Sequence, residues 1–348
     1  MAPEEKRMPD MSQEIEISNP DNEELEKTLD LAFGYMSPQE RRQRMDVILS
    51  LLKDNPILRE GVFQAKVNGK RVGALFSQKR SDGTVLLWPP VMLEDFSPER
   101  LFGSLERFCR RCKASAALAL VDRQQPFDNA GLLSLGFEYL SDMLYLVVRT
   151  NEEEAAVDSK NPKHVGNRCA GEKVVKAARR VNGEFQTDFD FTLEFLPMSR
   201  VQDCRFERMA ETVAKTYRNS RDFPRLLRLL PIHEVLNGYR SEGPFCPDLW
   251  FFVRKEDRDI GSLLMADQSE EQMELTYMGL AEEARGFGYG REIVRFAKEI
   301  ARHRKRRYLL TVVDEQNPAA LKSYLSLGFH TWDRKSVFVR FFNHITEC

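Results

Sequence analysis

The chain has 348 residues, 42% hydrophobic and 10% aromatic. It is too long for one ordinary domain and apolar enough to build packed cores, so a chain disordered throughout is excluded. Fifty-two Lys and Arg against 54 Asp and Glu give a formal charge of −2, which speaks against a protein held mainly to phosphate backbones.

In the first half, apolar residues at helical spacing predict two helices, one on Leu25, Leu29 and Phe33 and one on Met45, Ile48, Leu49 and Leu52. Strands are expected near 61–67, 71–77 and 84–92. Ser97-Pro98 reads as a helix start, the hydroxyl capping amides and the proline in the first turn, after the acidic pair Glu94-Asp95. Between 151 and 184 aromatic residues vanish and Glu, Lys, Asn and Gly dominate, the composition of a linker. In the second half two helical stripes follow, Phe206, Met209, Val213 and Tyr217, then Leu226, Leu229, Leu230 and Leu236. Strands are expected at 249–254, 259–266 and 273–280, then a helix with Ile293, Val294, Ala297, Ile300 and Ala301 on one face.

The halves repeat. Residues 118–137 align without a gap on 310–329, an offset of 192 (310 − 118), with ten of twenty positions identical. Asp122/Asp314, Gln124/Gln316, Pro126/Pro318 and a shared Leu-Ser-Leu-Gly-Phe are among them, the signature of a duplicated domain. The expected class is α/β (α+β), each half a mixed, mostly antiparallel sheet flanked by helices. The expected boundaries are 11–150, a linker at 151–184, and 185–348.

Between strand 273–280 and its following helix lies Arg285-Gly-Phe-Gly-Tyr-Gly290. Its glycines let the backbone turn tightly and present N–H groups where the helix dipole adds positive potential, so a pyrophosphate is the natural guest. The preceding strand alternates polar and apolar residues, unlike the first strand of a dinucleotide-binding sheet. Downstream stands Asn317-Pro-Ala-Ala320, then Tyr324 and Gly328-Phe329.

These two motifs together resemble the GNAT acetyltransferase superfamily: Arg285, Gly288 and Gly290 match one signature, and Asn317, Ala320, Tyr324, Gly328 and Phe329 the other. The repeat makes the whole chain similar to tandem GNAT proteins with a degenerate first copy. The resemblance implies acetyl-CoA or a related acyl-CoA as co-substrate, with no metal, and acyl transfer to a small-molecule, peptide or protein amine by direct attack. It assigns Arg285, Gly286, Phe287, Gly288, Tyr289, Gly290 and Arg291 to the pyrophosphate, and Met278, Gly279 and Leu280 to the pantetheine arm, one N–H acting as oxyanion donor. Asn317, Ala320 and Tyr324 join the donor site, Tyr324 as the acid for the leaving thiolate. Glu274 is the candidate base; strand alternation puts it on one face with Thr276, Met278 and Leu280. The acceptor wall is expected to include Tyr217, Asp222, Glu234 and Tyr239. A non-catalytic acyl-CoA sensor and O-acyl transfer are the alternatives.

The first half lacks these parts: Leu132 stands at the place of Tyr324 and Gln125 at that of Asn317, which reads as a silent copy. Cys109-Arg-Arg-Cys112 continues an apolar stripe with Leu101, Leu105 and Phe108, so core packing is expected there rather than zinc. His233-Glu234 lacks the second His of a zinc-protease helix. No apolar run nears the roughly 20 residues that span a bilayer, the start is polar, and six scattered cysteines form no disulfide framework. The expectation is a cytoplasmic protein without nucleic-acid or membrane partners.

Overall fold

The computed structural model describes residues 14–93, 96–122, 129–150, 180–181, 184–185, 191–227 and 230–342. The expected linker lies almost wholly outside them, as do Glu94, Asp95, Gln124, Gln125, Pro126 and Leu229. In chain order the first elements are β1 (Glu16–Ser18), α1 (Asn22–Ala32), α2 (Pro38–Asp54), α3 (Pro56–Arg59), β2 (Val62–Val67) and β3 (Lys70–Lys79). Next come β4 (Thr84–Leu87), β5 (Val91–Met92), α4 (Glu99–Arg111), β6 (Ala116–Asp122), α5 (Asn129–Ser134) and β7 (Glu138–Arg149). Two short strands, β8 (Arg180–Val181) and β9 (Glu184–Phe185), pair with each other. Then follow β10 (Glu194–Pro197), α6 (Arg205–Tyr217), α7 (Pro224–Leu227), α8 (Ile232–Arg240), β11 (Trp250–Lys255) and β12 (Arg258–Asp267). The chain closes with β13 (Gln272–Leu280), α9 (Tyr289–His303), β14 (Tyr308–Asp314), α10 (Pro318–Leu325) and β15 (His330–Phe341).

Two compact units result, one of residues 1–140 with 335–348, the other of residues 141–334. In the first, β1, β2 and β3 run antiparallel, β3 also carries β4 and β5, and β4 pairs parallel with β6. Residues 335–341 of β15 pair antiparallel with β6. In the second, β10 to β13 run antiparallel, β13 pairs parallel with β14, and residues 143–149 of β7 pair antiparallel with β14. Both sheets are mixed and mostly antiparallel, and each is closed by a strand from the other half of the sequence.

Packing follows the alternation of the strands. In the second unit Phe251, Leu263, Met265, Met273 and Leu275 face Ile293, Val294, Ala297 and Ile300 of α9, and Leu144, Leu146 and Val148 of β7 complete that core. On the other face Phe252, Leu264 and Tyr277 pack against Met209 and Val213 of α6 and Leu236 of α8. Each such side chain, fully buried, contributes about 1.5–3 kcal/mol. The first unit has the same two layers. One core lies against α4 and includes Phe338 of β15; the other lies against α1 and α2.

Three expectations change. The Leu226–Leu236 stripe is two helices, because Pro231 stands directly before α8, and proline inside a helix removes a backbone bond. The strand expected at 84–92 is interrupted between Leu87 and Val91, at Trp88-Pro89-Pro90. Pro98 is the residue before the first turn of α4 rather than within it, and the Ser97 hydroxyl accepts from the Glu99 N–H at 3.3 Å.

Candidate functional site: a gap between two parallel strands

β13 and β14 pair from Gln272–Tyr308 to Leu275–Thr311 and then part. At that point β13 carries a bulge. Met265 pairs with Leu275 and Leu264 with Tyr277, so Thr276 is the extra residue. The bulge corrects the expectation that Glu274, Thr276, Met278 and Leu280 share a face. Met273 and Leu275 face α9, but beyond the bulge it is Met278 and Leu280 that do so, while Tyr277 faces α6. Glu274 therefore shares its side of the sheet with Tyr277. Thr276 Oγ1 is left buried without a hydrogen-bond partner.

Past the bulge the outer edge of β13 is open. The Ala281 N–H bonds Ile260 O at 2.8 Å, so alternation turns the N–H groups of Tyr277 and Gly279 toward β12 and those of Met278 and Leu280 toward the gap. The strand runs into the glycine loop, where Gly286 (φ 87°) and Gly288 (φ 83°) adopt the left-handed conformation that disfavours side chains. Gly288 is the cap of α9. The Arg291 N–H bonds Gly288 O, whereas those of Gly286, Phe287, Gly288, Tyr289 and Gly290 have no acceptor among the described residues. This is a helix N-terminus presented to an anion. Phe287 is 70% exposed and stacks on Tyr289.

The Arg285 side chain is turned away from this loop. Its guanidinium donates to four carbonyls: Leu280 at 3.1 Å, Asn219 at 3.0 Å, and Thr216 and Arg218 at 2.8 Å each. Asn219 Nδ2 in turn reaches both carboxylate oxygens of Glu282. The segment after α6 is thus tied to the β13 side of the gap. A few residues on it is tied to the β14 side, where the Phe223 N–H donates to Asp314 Oδ2 at 3.1 Å. Asp314 itself is 2% exposed, and its other oxygen takes the Ser141 hydroxyl and the Gln316 N–H. Residues 216–223 form a strap from one lip of the gap to the other. Beside it a cavity of about 490 Å³ is lined by Tyr217, Arg218, Asn219, Ser220 and Pro224, among others.

Of the residues expected on the acceptor side, the structure brings Tyr217 and Tyr239 together, hydroxyl to hydroxyl at 2.8 Å. Tyr277 joins them, stacked on Tyr239 with centroids 5.0 Å apart and bonded through its hydroxyl to Thr216 at 2.6 Å. Burial pushes all three phenols above the ordinary tyrosine range, so they stay neutral donors. Glu234 is partly exposed on α8 and makes no hydrogen bond or ion pair with them. Glu274 accepts from Gln268 Nε2 at 2.5 Å. Burial, with the charge of Glu242 second, raises its carboxyl to about 7. Asp222 is raised to about 6, first by burial and then by Asp314.

Tyr324 is 3% exposed, its ring against Phe329 with centroids 5.3 Å apart. Burial raises the pKa of its hydroxyl, against a smaller lowering by the Thr311 side chain. Thr311 Oγ1 donates to Leu275 O at 2.9 Å, where the strands part. Asn317 caps α10, its Oδ1 accepting from the Ala320 N–H at 3.3 Å. Ala320 packs on the α9-side core, and a Cβ on Gly290 would lie 3.3 Å from Ser323 Oγ of α10.

The first unit repeats this frame. Gly73–Met92, Ala74–Val91 and Ser77–Leu87 correspond to Gly261–Leu280, Ser262–Gly279 and Met265–Leu275, each 188 residues on (261 − 73), with the same extra residue between. The parallel pairs Thr84–Ala116 to Leu87–Ala119 part as β13 and β14 do. The position of Met278 is held by Pro90, which has no N–H to offer a gap. Trp88, at the bulge, lies tilted against Phe76 with centroids 4.7 Å apart and meets Phe33 edge-on, filling the α1 side. Ala116 and Tyr308 stand 192 apart (308 − 116), so four extra residues enter with the glycine loop and α9. Cys109 is buried in the core and Cys112 packs on it. No group of His, Cys, Asp and Glu suited to a metal is found among the described residues. Nor is any described helix long and apolar enough to cross a membrane.

Sequence reasoning passed over Thr216, Thr311, Tyr277 and Gln268, which carry no motif and become visible only through contacts. Pro90 was legible as a proline inside an expected strand.

An antiparallel run of strands, a parallel partner that diverges at a bulge, and a glycine-capped helix at the mouth define a mixed α/β fold with an open strand edge. Residues 213–329 match the family described as "Acetyltransferase (GNAT) family", and this part of the chain is a GNAT domain. Among solved structures, a GCN5-related N-acetyltransferase from Sphaerobacter thermophilus is 12% identical with a TM-score of 0.55, the match covering 94% of this chain and 95% of that one. The GCN5-related glucosamine N-acetyltransferase region of a fungal multi-domain GH3 beta-N-acetylglucosaminidase is 15% identical with a TM-score of 0.53, covering 94% of this chain and 38% of that one. At these identities the likeness is one of fold. No curated protein sequence matches the chain.

Proposed function

We propose that the second unit is an acyl-CoA-dependent N-acyltransferase, with acetyl-CoA as the donor and an amine as the acceptor. The observation that carries this reading is one continuous track. An open strand edge beside a bulge leads into the glycine loop, whose N–H groups from Gly286 to Gly290 have no acceptor among the described residues. The residues fit such a donor: the loop amides would hold its pyrophosphate, and the Met278 and Leu280 edge its pantetheine arm. The donor supplies an activated acyl carbon. Met278 N–H, on the open edge, is the oxyanion donor of this reading. Tyr324, kept protonated by burial, is the acid for the leaving sulfur. The strand supplies Glu274 on the acceptor face, half-ionised near neutral pH, as a base for the amine. Asn317 positions α10 against the donor loop. The first unit, with Pro90 and the Trp88 plug, serves as a silent copy.

Acetyl-CoA should raise the Tm of the wild-type protein, and Gly288→Glu, which places a carboxylate on the anion cradle, should remove that rise. No rise for the wild type overturns the donor. A panel of amines and peptides read by mass spectrometry should then reveal transfer. The burial of Tyr324 favours one second reading, an acyl-CoA-binding sensor. A strong thermal shift with no transfer to any amine would select it.

A further inference from the structure

We propose that Arg285 is a positioning residue for the acceptor: its side chain holds the strap that walls the cavity beside the gap, while its backbone opens the donor loop. The inference rests on the acyl-transfer reading and adds to it the group that ties the two substrate sites together. Four observations carry it.

The first is what the guanidinium touches. Arginine presents five N–H donors in a rigid, permanently charged fork. Here the fork donates to Leu280 O on β13 and to the Thr216, Arg218 and Asn219 carbonyls of the strap. It makes no ion pair among the described residues. Its charge therefore meets carbonyl dipoles at the C-terminal end of α6, where a cation is favoured.

The second is how α6 ends. Lys215 O takes the Arg218 N–H, and Tyr217 O takes the Ser220 N–H. The carbonyls of Thr216, Arg218 and Asn219 receive no backbone N–H among the described residues. One side chain from outside the helix thus satisfies three acceptors that the backbone leaves open.

The third is the path of the strap. Asn219 (φ 51°) and Phe223 (φ 40°) both adopt the left-handed conformation, which asparagine tolerates and a bulky phenylalanine does not favour. Each stands at a tether. Asn219 is held by Arg285 and by Glu282, and the Phe223 N–H by Asp314. The tethers impose this path, so losing one lets the strap relax.

The fourth is what the strap builds. Tyr217, Arg218, Asn219 and Ser220 lie between the tethers and line the cavity of about 490 Å³, with Glu282 on its β13 side. Tyr217 meets Tyr277 edge-on, with centroids 5.6 Å apart. A Cβ on Gly279 would come within 2.6 Å of Thr216 Oγ1. The cavity wall therefore rests on the open stretch of β13, on the α6 face that Glu274 shares. The Arg285 backbone continues through Gly286 into the loop that caps α9. A residue joined to the donor loop by its backbone and to the acceptor wall by its side chain sets how the amine meets the acyl carbon.

The test compares Arg285→Gln and Arg285→Ala in the full chain, with acetyl-CoA and the best primary amine from the panel. Backbone amides hold the donor in this reading, so both variants should keep the acetyl-CoA-induced Tm shift. Their KM for acetyl-CoA should stay within about threefold of wild type. By contrast, kcat/KM for the amine should fall about 10- to 100-fold, carried more by the amine KM than by kcat. Millimolar methylguanidinium should recover part of that loss in Arg285→Ala and leave the wild type unchanged. An amine KM within about threefold of wild type in Arg285→Ala, equal rises in both KM values, or a loss that methylguanidinium leaves untouched overturns the positioning role and leaves the acyl-transfer reading intact. Loss of the Tm shift in both variants overturns it too, because the side chain would then serve the donor loop or the fold as a whole. A retained shift without transfer by the wild type overturns the acyl-transfer reading and this inference together.

Discussion

Glu274 and Asp222 owe their raised carboxyls to burial first and to a neighbouring carboxylate second, Glu242 for one and Asp314 for the other. Folding therefore favours their protonated forms. The stability they contribute is present in full below their ordinary values of 4.5 and 3.8 and is lost as pH rises through 6 for Asp222 and 7 for Glu274. The urea midpoint of the wild-type protein should fall between about pH 5 and about pH 8, and Glu274→Gln should reduce that fall. An equal fall in the variant would show that Glu274 is solvated in the folded chain. The types of these residues were legible in the sequence. What raises their pKa values was not, because burial and the approach of Glu242 and Asp314 to the carboxylates arise only through the fold. Arg285 shows the same divide. Its place in the motif was readable, whereas the turn of its guanidinium onto four carbonyls of the strap and strand is a tertiary fact.

At the scale of the element, alternation placed the strands within a residue or two, but it carried Glu274 to the wrong companions because one extra residue at Thr276 inverts everything after it. No local signal marks that bulge, since Leu-Thr-Tyr-Met reads as an ordinary strand. The first unit offers the control experiment. Its strand has the same bulge and register, with Pro90 at the place of Met278. Met278→Pro should copy that difference. The Met278 N–H faces the gap rather than β12, so its loss breaks no ladder bond, and the variant should remain folded. If that N–H stabilises developing charge, kcat should drop by about 10²–10³-fold while the acetyl-CoA Tm shift persists. Turnover within threefold of wild type would assign the oxyanion contact elsewhere. Pro90→Met in the first unit should bring no gain, because Trp88, Phe76 and Phe33 still fill the space beside that gap.

For the whole molecule, the repeat made the duplication visible, but chain order concealed how the closing strands are shared. Leu144, Leu146 and Val148, written in the first half, complete the core around α9, and Phe338, written in the second, completes the core around α4. A sequence alignment matches like with like and carries no information on which copy of a strand pairs with which sheet; either pairing satisfies the same alternation. The consequence is testable by cutting the chain where its composition changes. A 1–150 fragment would lack residues 335–341 and leave the β6 edge unpaired, and a 185–348 fragment would lack residues 143–149 and leave the β14 edge unpaired. Exposed hydrophobic edges of this kind aggregate. Each fragment expressed alone should be largely insoluble, whereas co-expression should recover soluble, co-purifying material, because each then supplies the strand the other lacks. A 185–348 fragment that is soluble alone, with the wild-type acetyl-CoA shift, would show that β15 can close its own sheet and that the exchange is dispensable.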